Sequence, residues 1–131
     1  MSESFNPDVM NYLYARAGAQ GIPLGGTFEL TPVCNMNCRM CYIRMSESEM
    51  KSKGCLKTAE QWLQLAQQAK DAGMLFLLVT GGEPLLFPQF KELFMELKSM
   101  GLMVSINTNG TLIDDEMVEF FKNYPPYRIN I

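Results

Sequence analysis

Three apolar stretches, Met74 to Val79, Leu102 to Asn107 and Tyr127 to Ile131, begin about 25 to 28 residues apart, the length of one strand-plus-helix unit. Helical patterns fill the intervals. Thr58 and Gln61 make a capping-box pair ahead of Trp62, Leu65, Ala66 and Ala69, with Gly73 as the stop. Pro88 opens a second helix carrying Phe90, Leu93, Phe94 and Leu97 on one stripe, closed by Gly101. Asp114 caps a third, with Met117, Phe120 and Phe121, and Pro125-Pro126 breaks it. Such alternation predicts an α/β fold with a parallel sheet. Met74 to Val79 shows no alternation, so it is expected to be buried on both faces.

Upstream, Thr27 to Thr31 reads as the first strand, with Thr27, Glu29 and Thr31 on one face and Phe28 and Leu30 on the other. Asn6 or Asp8 opens a short helix through Ala17 that ends at Gly18, an extension expected to lie outside the sheet. The first interval is roughly 20 residues longer than the others because a cysteine loop sits in it. Polar Ser46 to Gly54 is expected to be exposed loop or a frayed turn.

That loop, Cys34-Asn35-Met36-Asn37-Cys38-Arg39-Met40-Cys41, follows Pro32 at the end of the first strand. Thiolates select zinc, copper(I) or iron–sulfur clusters. Three ligands are one short of a closed site, so a fourth comes from elsewhere or a position stays open for chemistry. Cys55 is the remaining cysteine, and it either closes a zinc loop or is incidental.

Cysteine spacing, Thr80-Gly81-Gly82-Glu83-Pro84, Asn107-Thr108-Asn109-Gly110 and the final strand occur in an order that resembles the radical S-adenosylmethionine (SAM) superfamily. The resemblance runs from about Thr27 to Ile131, and it is nearest the branch of peptide- and protein-modifying maturases and the molybdenum-cofactor enzyme. It implies a partial six-unit βα barrel, TIM-like, of which this chain supplies about three and a half units. Residues 1–26 are then a helical extension and 27–131 a truncated core domain. The expectation is the N-terminal part of a longer protein, unable to turn over efficiently alone.

The resemblance further implies that Cys34, Cys38 and Cys41 hold a [4Fe-4S] cluster whose fourth iron binds SAM. Reductive cleavage then yields a 5′-deoxyadenosyl radical that takes hydrogen from a substrate. Gly81, Gly82, Glu83 and Pro84 fall where the family holds the SAM amino group. The two glycines allow close backbone approach and leave amides free to bond the ligand. Met40 stands where the family usually has an aromatic or bulky apolar residue against the adenine; a plain packing role is the alternative. Asn107 and Thr108 end a strand on the same rim, near SAM or substrate, or are turn formers only. Glu29 and Thr27 face the barrel lumen as substrate contacts, or Glu29 pairs with an arginine. The family's ribose-binding residue would fall beyond Ile131.

Net charge of −3 and a pI near 4.9 exclude nucleic acid or an anionic membrane as the main partner. No apolar run approaches the roughly 20 residues that span a bilayer. Met1-Ser2-Glu3-Ser4 lacks the basic start and apolar stretch of a signal peptide. Four cysteines without an export signal suit a reducing, cytoplasmic setting, and histidine is absent. The implied partners are a peptide, protein or small-molecule substrate and a reductant such as flavodoxin or ferredoxin.

Overall fold

Four strands, β1 (Gly25–Glu29), β2 (Phe76–Thr80), β3 (Met103–Asn107) and β4 (Arg128–Asn130), lie side by side, all parallel and in chain order. They belong to a computed structural model that describes residues 7–131. Among the described residues five α-helices accompany them: α1 (Pro7–Ala19), α2 (Glu47–Lys53), α3 (Ala59–Asp71), α4 (Phe90–Ser99) and α5 (Asp115–Asn123). The expected opening of α1 at Asn6, and the reading of Met1 to Ser4, lie outside the described residues.

Capping decides where α3 begins and ends. Thr58 Oγ1 accepts the Gln61 N–H at 3.2 Å, and Gln61 Oε1 accepts the Thr58 N–H at 2.9 Å. At the other end Gly73 takes φ +108°, its N–H goes to Lys70 O, and Met74 N–H goes to Ala69 O. That pair of bonds turns the chain from helix into strand. Asp114 Oδ1 starts α5 in the same way, accepting Met117 N–H at 2.8 Å.

Helices α3, α4 and α5 cover one face of the sheet. Phe28, Leu30, Leu77, Val79, Val104 and Ile106 point to that side, against Ala59 and Ala66 of α3, Phe90, Leu93, Phe94 and Leu97 of α4, and Met117 and Phe121 of α5. Rings of Phe90, Phe94, Phe120 and Phe121 meet mostly edge-on at centroid distances of 5.7 to 6.5 Å. The other face is open, which corrects the expectation for β2. Leu77 and Val79 are buried, but Phe76, Leu78 and Thr80 are half-buried. Apolar residues on both sides of a strand signalled a second covering layer that this stretch of chain does not supply. At the starting end of β2, Phe76 stacks on Tyr14 of α1 and meets Tyr127, so α1 is anchored to the sheet by aromatic contact.

Two local expectations also need correction. Residues Glu47–Lys53 form α2, not a loop, because Ser46 and Glu49 make a complete capping box. Met50 is its one apolar residue and none of its residues is fully buried, so hydrophobic periodicity was silent and only the cap announced it. Contact with the Ser46 N–H and then with its hydroxyl lowers the Glu49 carboxyl pKa. The cap is therefore complete above the ordinary carboxylate range and is lost as pH falls through the lowered value. Ser46→Ala should unwind α2 at a cost of about 1 kcal/mol, seen as faster amide exchange at residues 49–51 with the sheet unchanged. Pro88, expected to open the second helix, stands before it. Helix α4 starts at Phe90 because Gln89 takes a non-helical φ of −105°, and its Oε1 accepts Ala59 N–H, joining the starts of α3 and α4.

Candidate cofactor-binding rim

At the carboxyl ends of the strands, where α/β sheets place ligands, two segments lie directly against one another. After β1, Leu30 N–H still reaches Thr80 O, and Thr31 Oγ1 then accepts Val33 N–H and turns the chain into the cysteine loop. After β2, Gly82 N–H donates to Thr31 O at 2.6 Å and Glu83 N–H to Val33 O at 2.9 Å. A Cβ on Gly81 would stand 2.5 Å from Thr31 O, and one on Gly82 would stand 2.5 Å from Val33 O. Gly81 also has φ +147°. These glycines exist first to let two backbones touch. The expectation that the two glycines leave amides free is thus corrected at Gly82, whose N–H, together with that of Glu83, holds the root of the cysteine loop.

Glu83 is completely buried, and its carboxylate faces inward. Oε1 accepts Leu85 N–H at 3.0 Å and the Thr108 hydroxyl at 2.8 Å, and Oε2 accepts Asn109 N–H at 2.8 Å. The first bond starts a short 3-10 turn, Pro84–Leu86, in which Pro84 is buried. The other two join β2 to β3. Thr108, itself buried, also accepts Gly110 N–H. Glu83, Pro84 and Thr108 therefore form the frame beneath the rim. Asn107 belongs to the open side, where its Oδ1 accepts Asn130 Nδ2 at 2.7 Å. Gly82, Asn107, Asn109, Asn130 and Ile131, with the edge of Thr108, line an open groove of about 390 Å³ there. Thr27 and Glu29 are exposed on the same face, and among the described residues Glu29 has no ion pair.

Above this frame stands the cysteine loop. Its neck is closed by Met45 N–H to Pro32 O and by the Val33–Met45 bridge. Cys34, half-buried at the root, accepts Met36 N–H at 3.4 Å and Asn109 Nδ2 at 3.7 Å. Cys38 and Cys41 are exposed and share a turn closed by Cys41 N–H to Cys38 O. Met40 is 91% exposed at the tip, so it fills no core space here. Cys55 is exposed in the link between α2 and α3.

Three free thiols on one loop are a donor set of the kind that suits zinc or an iron–sulfur cluster, and N–H groups directed at Cys34 Sγ suit a thiolate. Among the described residues no three Cys, Asp or Glu side chains converge tightly enough to grip an ion. Asn35, Asn109 and Thr111 are the rim residues that sequence reading passed over. Asn109-Gly110 read as a turn, and the link from Asn109 to Asn35 spans distant parts of the chain.

Comparison with known proteins gives a consistent family. A family model described as "Radical SAM superfamily" matches residues 28–131. The antilisterial bacteriocin subtilosin biosynthesis protein AlbA of Bacillus subtilis is 36% identical over 103 residues, 79% of this chain and 22% of AlbA. The crystal structure of Streptococcus suis SuiB bound to precursor peptide SuiA superposes with a TM-score of 0.68 at 24% identity, over 96% of this chain and 29% of that one. SuiB bound to S-adenosylmethionine gives a TM-score of 0.65 at 24% identity, over 98% of this chain and 29% of the other. The chain thus spans less than a third of the length of AlbA and of SuiB, and its sheet has the fold of the SuiB βα barrel.

Proposed function

The chain belongs to the radical SAM superfamily, and on that premise we propose that its rim binds a [4Fe-4S] cluster and S-adenosylmethionine as part of a peptide-modifying enzyme. Cys34, Cys38 and Cys41 are the cluster ligands. The bound pair supplies one chemistry, one-electron reductive cleavage of S-adenosylmethionine to a 5′-deoxyadenosyl radical that removes hydrogen from a substrate. The observation that carries the reading is the bolting of Gly82 and Glu83 onto the root of a loop with three free thiols.

The chain's own residues hold and orient. An ammonium group donates hydrogen bonds and needs acceptors, which we assign to the backbone carbonyls of Gly81 and Gly82. Gly82 lines the open groove, whereas the Glu83 carboxylate already takes three donors from the protein. Glu83, Pro84 and Thr108 act from beneath by keeping that backbone in place. Met40, exposed on the loop, is assigned to the adenine as an adaptable apolar surface. Asn107 presents an amide to the groove for the cofactor or the substrate. A peptide substrate is supported by AlbA's part in bacteriocin biosynthesis and by the precursor peptide bound to SuiB. A flavodoxin- or ferredoxin-type donor supplies the electron. No helix among the described residues is long and apolar enough to cross a membrane.

Anaerobic reconstitution with iron and sulfide tests this reading. A reduced cluster with an EPR signal that changes on adding S-adenosylmethionine is expected. Alanine at Cys34, Cys38 or Cys41 should abolish assembly, and Cys55→Ala should not. Tight zinc in place of iron, lost on Cys55→Ala, would establish a structural zinc module instead.

A further inference from the structure

We propose that Asn109 is a positioning residue for Cys34, and that its side-chain N–H sets the reduction potential of the cluster assigned above, the reading on which this inference rests. A primary amide offers two donor hydrogens and an oxygen with two acceptor sites, and at Asn109 all four are engaged. Oδ1 accepts the Thr111 N–H at 3.0 Å and the Thr111 hydroxyl at 2.7 Å. Nδ2 donates to Asn35 Oδ1 at 2.8 Å and toward Cys34 Sγ at 3.7 Å. Asn35 Nδ2 closes a ring by donating to Thr111 Oγ1 at 2.8 Å.

The orientation of the amide follows from its partners. The backbone N–H of Thr111 only donates, so the group facing it is the oxygen, and the nitrogen must face the sulfur. The backbone of Asn109 is equally fixed, because its N–H ends on the buried carboxylate of Glu83. A rigid chain of bonds therefore runs from the core, through Asn109, to the first residue of the cysteine loop.

An N–H aimed at a cluster sulfur stabilises the more negative, reduced state and raises the potential. In Asn109→Leu the donor is gone with side-chain volume nearly kept. In Asn109→Asp the Thr111 contacts survive but a carboxylate oxygen faces the sulfur. Thr111→Val weakens the ring and leaves the donor in place, because the Thr111 N–H still holds Oδ1.

The test is a redox titration, followed by EPR, of the anaerobically reconstituted chain and these three variants, with iron content and melting temperature read alongside. Asn109→Leu should shift the reduction equilibrium roughly tenfold toward the oxidised cluster, about 59 mV lower for one electron. Asn109→Asp should go further in the same direction. Thr111→Val should lower the melting temperature yet keep the wild-type potential. If an Asn109 variant loads no cluster, normal loading of Thr111→Val supports the positioning role, and equal loss in Thr111→Val overturns it. Wild-type potential in both Asn109 variants, or an equal shift in Thr111→Val, overturns the inference while leaving the cluster reading intact. A wild-type chain that assembles no cluster sinks both.

Discussion

Glu83→Ala is expected to destabilise the protein by about 3 to 5 kcal/mol, enough to remove a fifth or more of the roughly 5 to 15 kcal/mol that holds a domain folded. The side chain is completely buried, and its two oxygens accept two backbone N–H groups and one hydroxyl. Truncation leaves all three donors without an acceptor in a place water does not reach, and it adds a cavity. The damage spreads because the donors belong to different parts of the rim: Leu85 follows β2, while Thr108 and Asn109 follow β3. Glu83→Gln is the milder test. Its remaining oxygen serves Leu85 and Thr108, but its amide turns a donor toward the Asn109 N–H, for a loss of about 1 to 3 kcal/mol. Urea unfolding measures both; alanine and wild type sharing one midpoint at equal slope would remove Glu83 from the frame.

The second large effect is steric. In Gly82→Ala the new methyl would sit 2.5 Å from Val33 O, 2.6 Å from Pro32 O and 2.7 Å from Val33 C, all backbone atoms that no rotamer change can move aside. Relief requires the segment after β2 to separate from the root of the cysteine loop. That motion stretches the Gly82–Thr31 and Glu83–Val33 hydrogen bonds together. Overpacking costs about 1 to 3 kcal/mol and each weakened bond about 1 more, so a total near 3 kcal/mol or above is expected. Iron uptake should fall with it, since the loop loses its footing. Gly18→Ala provides the contrast. It lies within α1 with nothing within 4 Å of its added Cβ, so it should be neutral or slightly stabilising. Thermal melts and iron content of the two variants separate a packing requirement from a general intolerance of change.

Much of the fold was legible because its signals are local. Capping residues at Thr58 and Asp114, the glycine stop at Gly73 and the apolar stripe of α4 act within a turn or two of the chain. Helix α2 was missed for a related reason. Its cap is local and readable, but a helix that buries nothing lacks the periodicity that draws attention to it. The open face of β2 was misjudged because hydrophobicity records what a strand is suited to, whereas cover depends on what other chain reaches it.

At the rim the division is sharper. Spacing alone put three thiols on one loop and two glycines after an apolar strand, since both are properties of neighbouring residues. Roles within that set were decided by contacts between positions far apart in sequence. The carboxylate of Glu83 turns inward because Thr108 and Asn109 bring donors from the next strand. The amides of Gly82 and Glu83 are taken because the carbonyls of Thr31 and Val33 lie within hydrogen-bonding reach across the sheet edge. Asn109 meets Cys34 only because parallel pairing of β1, β2 and β3 carries their carboxyl ends to one side. Residue order determines which chemistries are on hand and which local elements form, since those depend on backbone preference and near neighbours. Which polar group satisfies which is settled by tertiary packing, because a buried donor or acceptor takes whatever partner folding delivers to it.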